Sequence, residues 1–237
     1  MKILGIDTSS MAASVAVIED NKLICEYTIN TKKTHSQKLM PMIENMLNLS
    51  DLNVREIDAI AVCEGPGSFT GLRIGSATAK GLGLALKKPL IAVPTVDALA
   101  YNLYDVSGLI CPIMDARRSQ VYTGIYRFEE HKLVAVKQQW ASPVTELIEE
   151  LNKLGEPVTF LGDGVPVFRS MIEGKLQVPY SFAPAHVNKQ RAAAVGTLGM
   201  IYYKEGRTET AMEHVPEYLR VSQAERERAE REKAKQA

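Results

Sequence analysis

Three stretches of the chain carry residue types that chemistry uses. In Gly5-Ile6-Asp7-Thr8-Ser9-Ser10 an apolar run ends in an acid followed by three hydroxyls. Such a loop can offer backbone N–H groups and hydroxyls to a phosphate, with Asp7 near a metal. An Asp/Thr/Ser turn also satisfies its own backbone, and from this segment alone that plainer reading is favoured. The second stretch is Glu64-Gly65-Pro66-Gly67-Ser68-Phe69-Thr70-Gly71-Leu72-Arg73-Ile74-Gly75. It is not a Walker A loop, because no Gly-Lys-Ser/Thr follows. Ser68 or Thr70 can cap the helix that comes next, whose N-terminus can hold an anion. Gly71, Gly75, Ala79 and Gly83 recur every four residues, on one stripe of that helix. A mid-helix glycine costs about 1 kcal/mol relative to alanine. The stripe therefore suits the close approach of a neighbour, either an element of this chain or a helix of another subunit.

The third stretch is defined by what fails to assemble. Zinc hydrolases commonly set two histidines on one helical face, as in His-x-x-x-His. His35, His131, His186 and His214 are all far apart in sequence. No Gly-x-Ser-x-Gly elbow and no Cys/His pairing occurs. Asp7 and Asp115 end corresponding strands of two similar halves and could face each other across a cleft. However, Asp115-Ala116-Arg117-Arg118 lacks the glycine that a phosphate-hugging turn wants.

The elements that must position these residues alternate between strand and helix. Lys2–Ile6, Ala13–Ile18 and Lys22–Ile29 read as a three-strand meander, with Asp20-Asn21 as a hairpin signal. A helix capped by Thr34 starts near His35, with Leu39, Met42, Ile43, Met46 and Leu47 on one face and Pro41 in its first turns. A strand at Ile57–Cys63, a helix at Thr70–Leu86, a strand at Leu90–Val93 and a helix at Val96–Leu103 follow. Leu109–Met114, Val121–Phe128 and His131–Gln138 repeat the opening strands. A helix near Val144–Leu154, a strand at Val158–Leu161, and helices near Val165–Ile172 and Lys189–Lys204 complete the second copy. This is a duplicated α/β unit with its boundary near Asp105–Gly108. We expect one lobe over 1–106 and a second over 107–220, whose helix near 189–204 could pack back on the first. The tail over 221–237 is charged, without an apolar stripe, and reads as a fraying terminal helix, with a charged docking tail as the alternative.

The 237 residues are 46% hydrophobic and 24% charged, enough for a core without staples. Net charge is +0, so no global basic field draws in nucleic acid. The opening MKILGIDTSS has no signal-peptide pattern, and no apolar run reaches membrane-spanning length. Cys25, Cys63 and Cys111 each fall in a predicted strand and read as buried reduced thiols of a cytoplasmic protein.

Taken together, these stretches resemble the bacterial TsaB family, formerly YeaZ, over essentially residues 1–220. The resemblance is carried by Ile3–Ser9, then Thr34-His35-Ser36-Gln37 with Leu39 and Pro41, then Gly65–Gly75. It continues through Met114-Asp115-Ala116-Arg117 with Val121-Tyr122, and ends at Pro216-Glu217-Tyr218-Leu219-Arg220. It implies an actin/Hsp70/hexokinase-like (ASKHA) fold: α/β, a duplicated ribonuclease H-like unit in two lobes. It also implies a role in forming threonylcarbamoyladenosine in tRNA, next to the anticodon. There the related TsaD transfers the threonylcarbamoyl group, TsaB is its required partner, and a small ATPase, TsaE, joins them. TsaD-like proteins carry a metal-binding His-x-x-x-His on the helix after the strand equivalent to Leu90–Val93. At those positions this chain has Thr95 and Leu99, neither of which replaces an imidazole.

The resemblance thus implies a non-catalytic scaffold rather than an enzyme, without catalytic residues or metal ligands of its own. Its docking face, for TsaD or a second copy, would comprise His35, Leu39, Gly67, Ser68, Phe69, Thr70, Gly71, Arg73, Gly75 and Ala79. Asp7, Thr8, Ser9 and Asp115 would form a degenerate nucleotide cleft. No cofactor is expected, with ATP or ADP placed only at the interface of the complex. The expected partners are TsaD and TsaE, a homodimer when alone, and tRNA only through the complex. The alternatives are a nucleotide-binding hydrolase or kinase of the same fold, or an M22-type metallopeptidase.

Overall fold

A computed structural model describes residues 1–31 and 34–220. The first lobe opens with antiparallel strands β1 (Lys2–Asp7), β2 (Ala12–Glu19) and β3 (Lys22–Asn30). Helix α1 (His35–Leu49) follows, then β4 (Ala59–Gly65), α2 (Phe69–Leu86), β5 (Leu90–Pro94) and α3 (Thr95–Tyr101). The sheet runs β3-β2-β1-β4-β5, with β4 and β5 parallel to β1. Strand β1 sits in the middle and is buried on both faces, so its sequence is an almost unbroken apolar run. Edge strand β3 is half-exposed and mixes Lys22, Glu26 and Thr28 into its pattern.

The second lobe repeats this plan with β6 (Leu109–Asp115), β7 (Gln120–Glu129), β8 (Lys132–Pro143), α4 (Val144–Leu154), β9 (Val158–Leu161), α5 (Val165–Lys175) and β10 (Tyr180–Phe182). Its sheet runs β10-β9-β6-β7-β8, the same order as the first lobe read from the other edge. Three-residue β10 escapes a sequence reading because it is too short to show a period and Tyr180 and Ser181 are exposed. Helix α4 has the cleanest amphipathic spacing: Val144, Leu147, Ile148 and Leu151 are buried. Thr34 occupies the N-cap position of α1 but makes no side-chain cap hydrogen bond, unlike the role its type suggested.

Helix α6 (Ala192–Lys204) lies against β1, β2 and β4 of the first sheet, although it follows the second lobe in sequence. The chain therefore crosses between lobes twice, after α3 and before α6. The two crossings run side by side, tied where the Asn102 amide donates to the carbonyls of Val187 (3.2 Å) and Lys189 (2.7 Å). Between the sheets lies a shared core, in which Val96, Leu99 and Ala100 of α3 meet Ile110, Met114 and Tyr126 of the second lobe. Within it the Tyr126 hydroxyl donates to the Asp97 carboxylate at 2.7 Å.

Beyond α6 the chain crosses the molecule again as an irregular strap over residues 205–220. Cys63 and Cys111 are buried and Cys25 is half-buried, and all three are free thiols. Among the described residues, no helix is long and apolar enough to cross a membrane. The charged tail over 221–237 lies outside the described residues.

Candidate functional site

A cleft of about 580 Å³ opens between the lobes. The β1–β2 turn builds one wall with Ser9 and Ser10, together with His35 and the first turn of α2. The β6–β7 hairpin builds the other with Asp115, Arg117 and Arg118. The start of α2 is tied to the β1–β2 turn. Ser68 is its N-cap, and its hydroxyl accepts the Gly71 N–H at 3.3 Å while its own N–H donates to the Ser9 carbonyl at 2.7 Å. His35 Nε2 sits 2.7 Å from the Ser10 carbonyl oxygen.

The four residues expected at a degenerate nucleotide cleft divide. Ser9 and Asp115 line the cleft. Asp7 does not: it is 1% exposed, and its carboxylate accepts from the Ser9 N–H (2.9 Å), the Ser9 hydroxyl (2.7 Å) and the Cys63 thiol (3.2 Å). Burial pushes its carboxyl above the usual range, against the pull of these hydrogen bonds. Thr8 is also buried and donates to the Gly71 carbonyl at 2.8 Å. The acid and first hydroxyl of the turn are thus consumed locally, so Asp7 and Thr8 are corrected from cleft residues to structural ones. Asp115 accepts from the Arg117 N–H (2.8 Å) and guanidinium (3.1 Å).

The expected docking face is also redrawn. Leu39 is a core residue packed with Met42 and Ile43. Gly71, Gly75 and Ala79 are buried against this chain's own first sheet. A Cβ at Gly71 would overlap the Thr8 carbonyl, and one at Gly75 would overlap the Thr8 hydroxyl. The stripe is therefore spent on Thr8 of the β1–β2 turn, Val62 of β4 and Leu90 of β5, not offered to another subunit. Gly67 lies equally close to the Ser9 backbone. Phe69 stacks on Tyr218 at 4.7 Å between ring centroids, and the Arg73 Nε–H donates to the Tyr218 hydroxyl at 3.2 Å. Of that set, His35, Gly67, Ser68, Phe69, Thr70 and Gly71 line the cleft. Away from its buried face α1 instead presents Met40 (46% exposed) and Glu44, and α2 presents Ala77 and Leu84 (59% exposed).

The strap was not placed from sequence, although Pro216–Arg220 was singled out there. Its signal is an aromatic and an arginine, Tyr218 and Arg220, in a stretch with no periodic pattern. The Glu217 N–H donates to the Glu64 carbonyl at 2.7 Å, which brings two carboxyl groups together. Burial, then Glu217 and Glu209, raise the Glu64 carboxyl to about 7. Thr95 (0% exposed) and Leu99 (1% exposed) are sealed between the lobes and do not line the cleft. Among the described residues, no three His, Cys, Asp or Glu side chains are grouped to hold a metal.

Two lobes of matching strand order around a cleft define the two-lobed class of actin-like and sugar-kinase-like proteins. YeaZ from Pseudomonas aeruginosa has this architecture, with a TM-score of 0.76 at 24% identity over 92% of this chain and 99% of that one. An Arthrobacter polyphosphate/ATP-glucomannokinase shares the fold more loosely, with a TM-score of 0.51 at 12% identity over 86% of this chain and 99% of that one. Residues 22–228 match the family model described as TsaD, tRNA N6-adenosine threonylcarbamoyltransferase. The tRNA threonylcarbamoyladenosine biosynthesis protein TsaB of Bacillus subtilis is 36% identical over 95% of this chain and 96% of its own length. That of Haemophilus influenzae is 28% identical over 93% and 94%. The chain belongs to the TsaB family of tRNA threonylcarbamoyladenosine biosynthesis proteins.

Proposed function

We propose that this chain is a non-catalytic docking subunit, which binds and activates the transferase TsaD in forming threonylcarbamoyladenosine in tRNA. The observation that carries this is the burial of Thr95 and Leu99. Where the resemblance places two histidines in the transferase, this chain has a hydroxyl and an isobutyl group packed away from the cleft. Function follows the site rather than the fold. The outward faces of α1 and α2, which pack side by side, offer Met40 and Leu84 as apolar anchors for TsaD, or for a second copy when the chain is alone. TsaE joins this pair, and tRNA is engaged only through the assembly, in keeping with a net charge of +0. No cofactor is held by the chain alone. Its free thiols fit a reducing cytoplasm.

The test is reconstitution with purified TsaD. Met40→Glu with Leu84→Glu should abolish association and tRNA modification while the melting temperature stays put, since both positions are exposed. Full association of that variant would refute the docking face. Separately, threonylcarbamoyl transfer to tRNA by this chain without TsaD would refute the non-catalytic role.

A further inference from the structure

We infer that the strap over residues 205–220 is an interlobe clamp that fixes the opening of the cleft, so that the two lobes move as one body. Two-lobed proteins close over ligands by rotating about their chain crossings. Here the two covalent crossings run together, joined through Asn102, Val187 and Lys189, and none of those three residues lines the cleft. Two adjacent crossings leave a rotation axis free. A third tie placed away from that axis removes the freedom, and the strap is such a tie.

Its anchorage on the first lobe is a chain of bonds. Glu209 exchanges two backbone hydrogen bonds with Leu90, each 2.9 Å, and the His214 carbonyl accepts from Lys80 Nζ at 2.9 Å. Glu217 then reaches both lobes. Its N–H donates to Glu64 of β4, while its carboxylate accepts from the Gln139 amide of β8 at 2.8 Å. Tyr218 turns back to Phe69 of α2. Leu219 packs on the shared interlobe core, and Arg220 donates to the Ala116 carbonyl in the cleft wall at 2.6 Å. Within four residues the strap thus grips both walls of the cleft. Phe69 and Arg220 both line that cleft, so the tie lies at the gap that rotation would widen.

The inference concerns the chain alone and does not depend on the docking role. Spin labels at exposed Asn21 in the β2–β3 turn and exposed Glu149 on α4, with Cys25→Ser and the labelled chain diluted in excess unlabelled chain so that only pairs within one molecule report, give the lobe-to-lobe distance by pulsed electron resonance. The otherwise unmodified strap should give one narrow distribution. The triple variant Gln139→Ala, Leu219→Ala, Arg220→Ala keeps the first-lobe anchors and should broaden and lengthen it. Lys80→Ala, which cuts an anchor on the first lobe only, should leave it narrow. A broad or two-peaked distribution with the native strap would overturn the clamp, and that measurement needs no strap variant to fold. A triple variant as narrow as the parent would overturn it equally.

Discussion

Glu64 is where a single side chain makes stability depend on pH. Its carboxyl is raised from 4.5 to about 7, first by burial and then by Glu217 and Glu209. An unfolded chain would ionise it near 4.5. Between these values the unfolded state releases a proton that the folded state keeps, so this group's effect is to lower stability as pH rises from about 4.5 to about 7, with no further change above. Glu64→Gln stays neutral throughout. It should match the parent most nearly near pH 4.5 and exceed it at pH 8, by up to about 3 kcal/mol. Urea melts at pH 5 and pH 8 check this, and a variant no more stable than the parent at pH 8 contradicts it. Nothing in the sequence flags Glu64, because its shift needs the strap folded beside it. Asp7 was visible as an acid in a hydroxyl-rich turn, and the plainer reading proved right: Ser9 and Cys63 absorb its carboxylate.

At the scale of the element, α2 separates two kinds of glycine on one helix. Gly75 is pressed on Thr8, whereas a Cβ at Gly81 meets nothing within 4 Å. Gly81→Ala should therefore stabilise the chain by about 0.5–1 kcal/mol through helix propensity and a less disordered unfolded state. Gly75→Ala should destabilise it, and Gly75→Leu should do so by about 1–3 kcal/mol or more. Thermal melts of the three variants decide it, and a Gly75→Leu protein as stable as the parent would show the stripe to be free surface. The four-residue spacing of small side chains was legible, and it correctly required a close neighbour. Spacing cannot say whose neighbour that is, since a sheet of the same chain and a foreign helix ask for the same small residues. Long strands and helices could be read within a few residues of their ends because burial on one or both faces imprints a period. Short β10 and the strap left none, as their contacts are made residue by residue with distant partners.

The whole molecule should unfold in one step. Its two sheets belong to separate lobes, but Val96, Leu99 and Ala100 of one and Ile110, Met114 and Tyr126 of the other share a core, and α6 returns to the first sheet after the second is complete. Each lobe has a core of its own, but neither buries the surface they share without the other. Calorimetry should show a single transition whose calorimetric and van't Hoff enthalpies agree. Two resolved transitions would mean the lobes fold independently. The duplicated order of elements was evident from sequence. The shared core was not, because it depends on which faces the two copies turn toward each other.

The pairing of Glu209 with Leu90 also bears on solubility. Strand β5 is the outermost strand of its sheet, and such a border carries unpaired N–H and C=O groups that recruit strands from other molecules. The two bonds to Glu209 occupy the start of that border from within the chain. A protein clipped by a protease just before the strap would expose it alongside apolar surface once covered by Ala211. Loss of this segment is then a route to self-association through bare sheet margins.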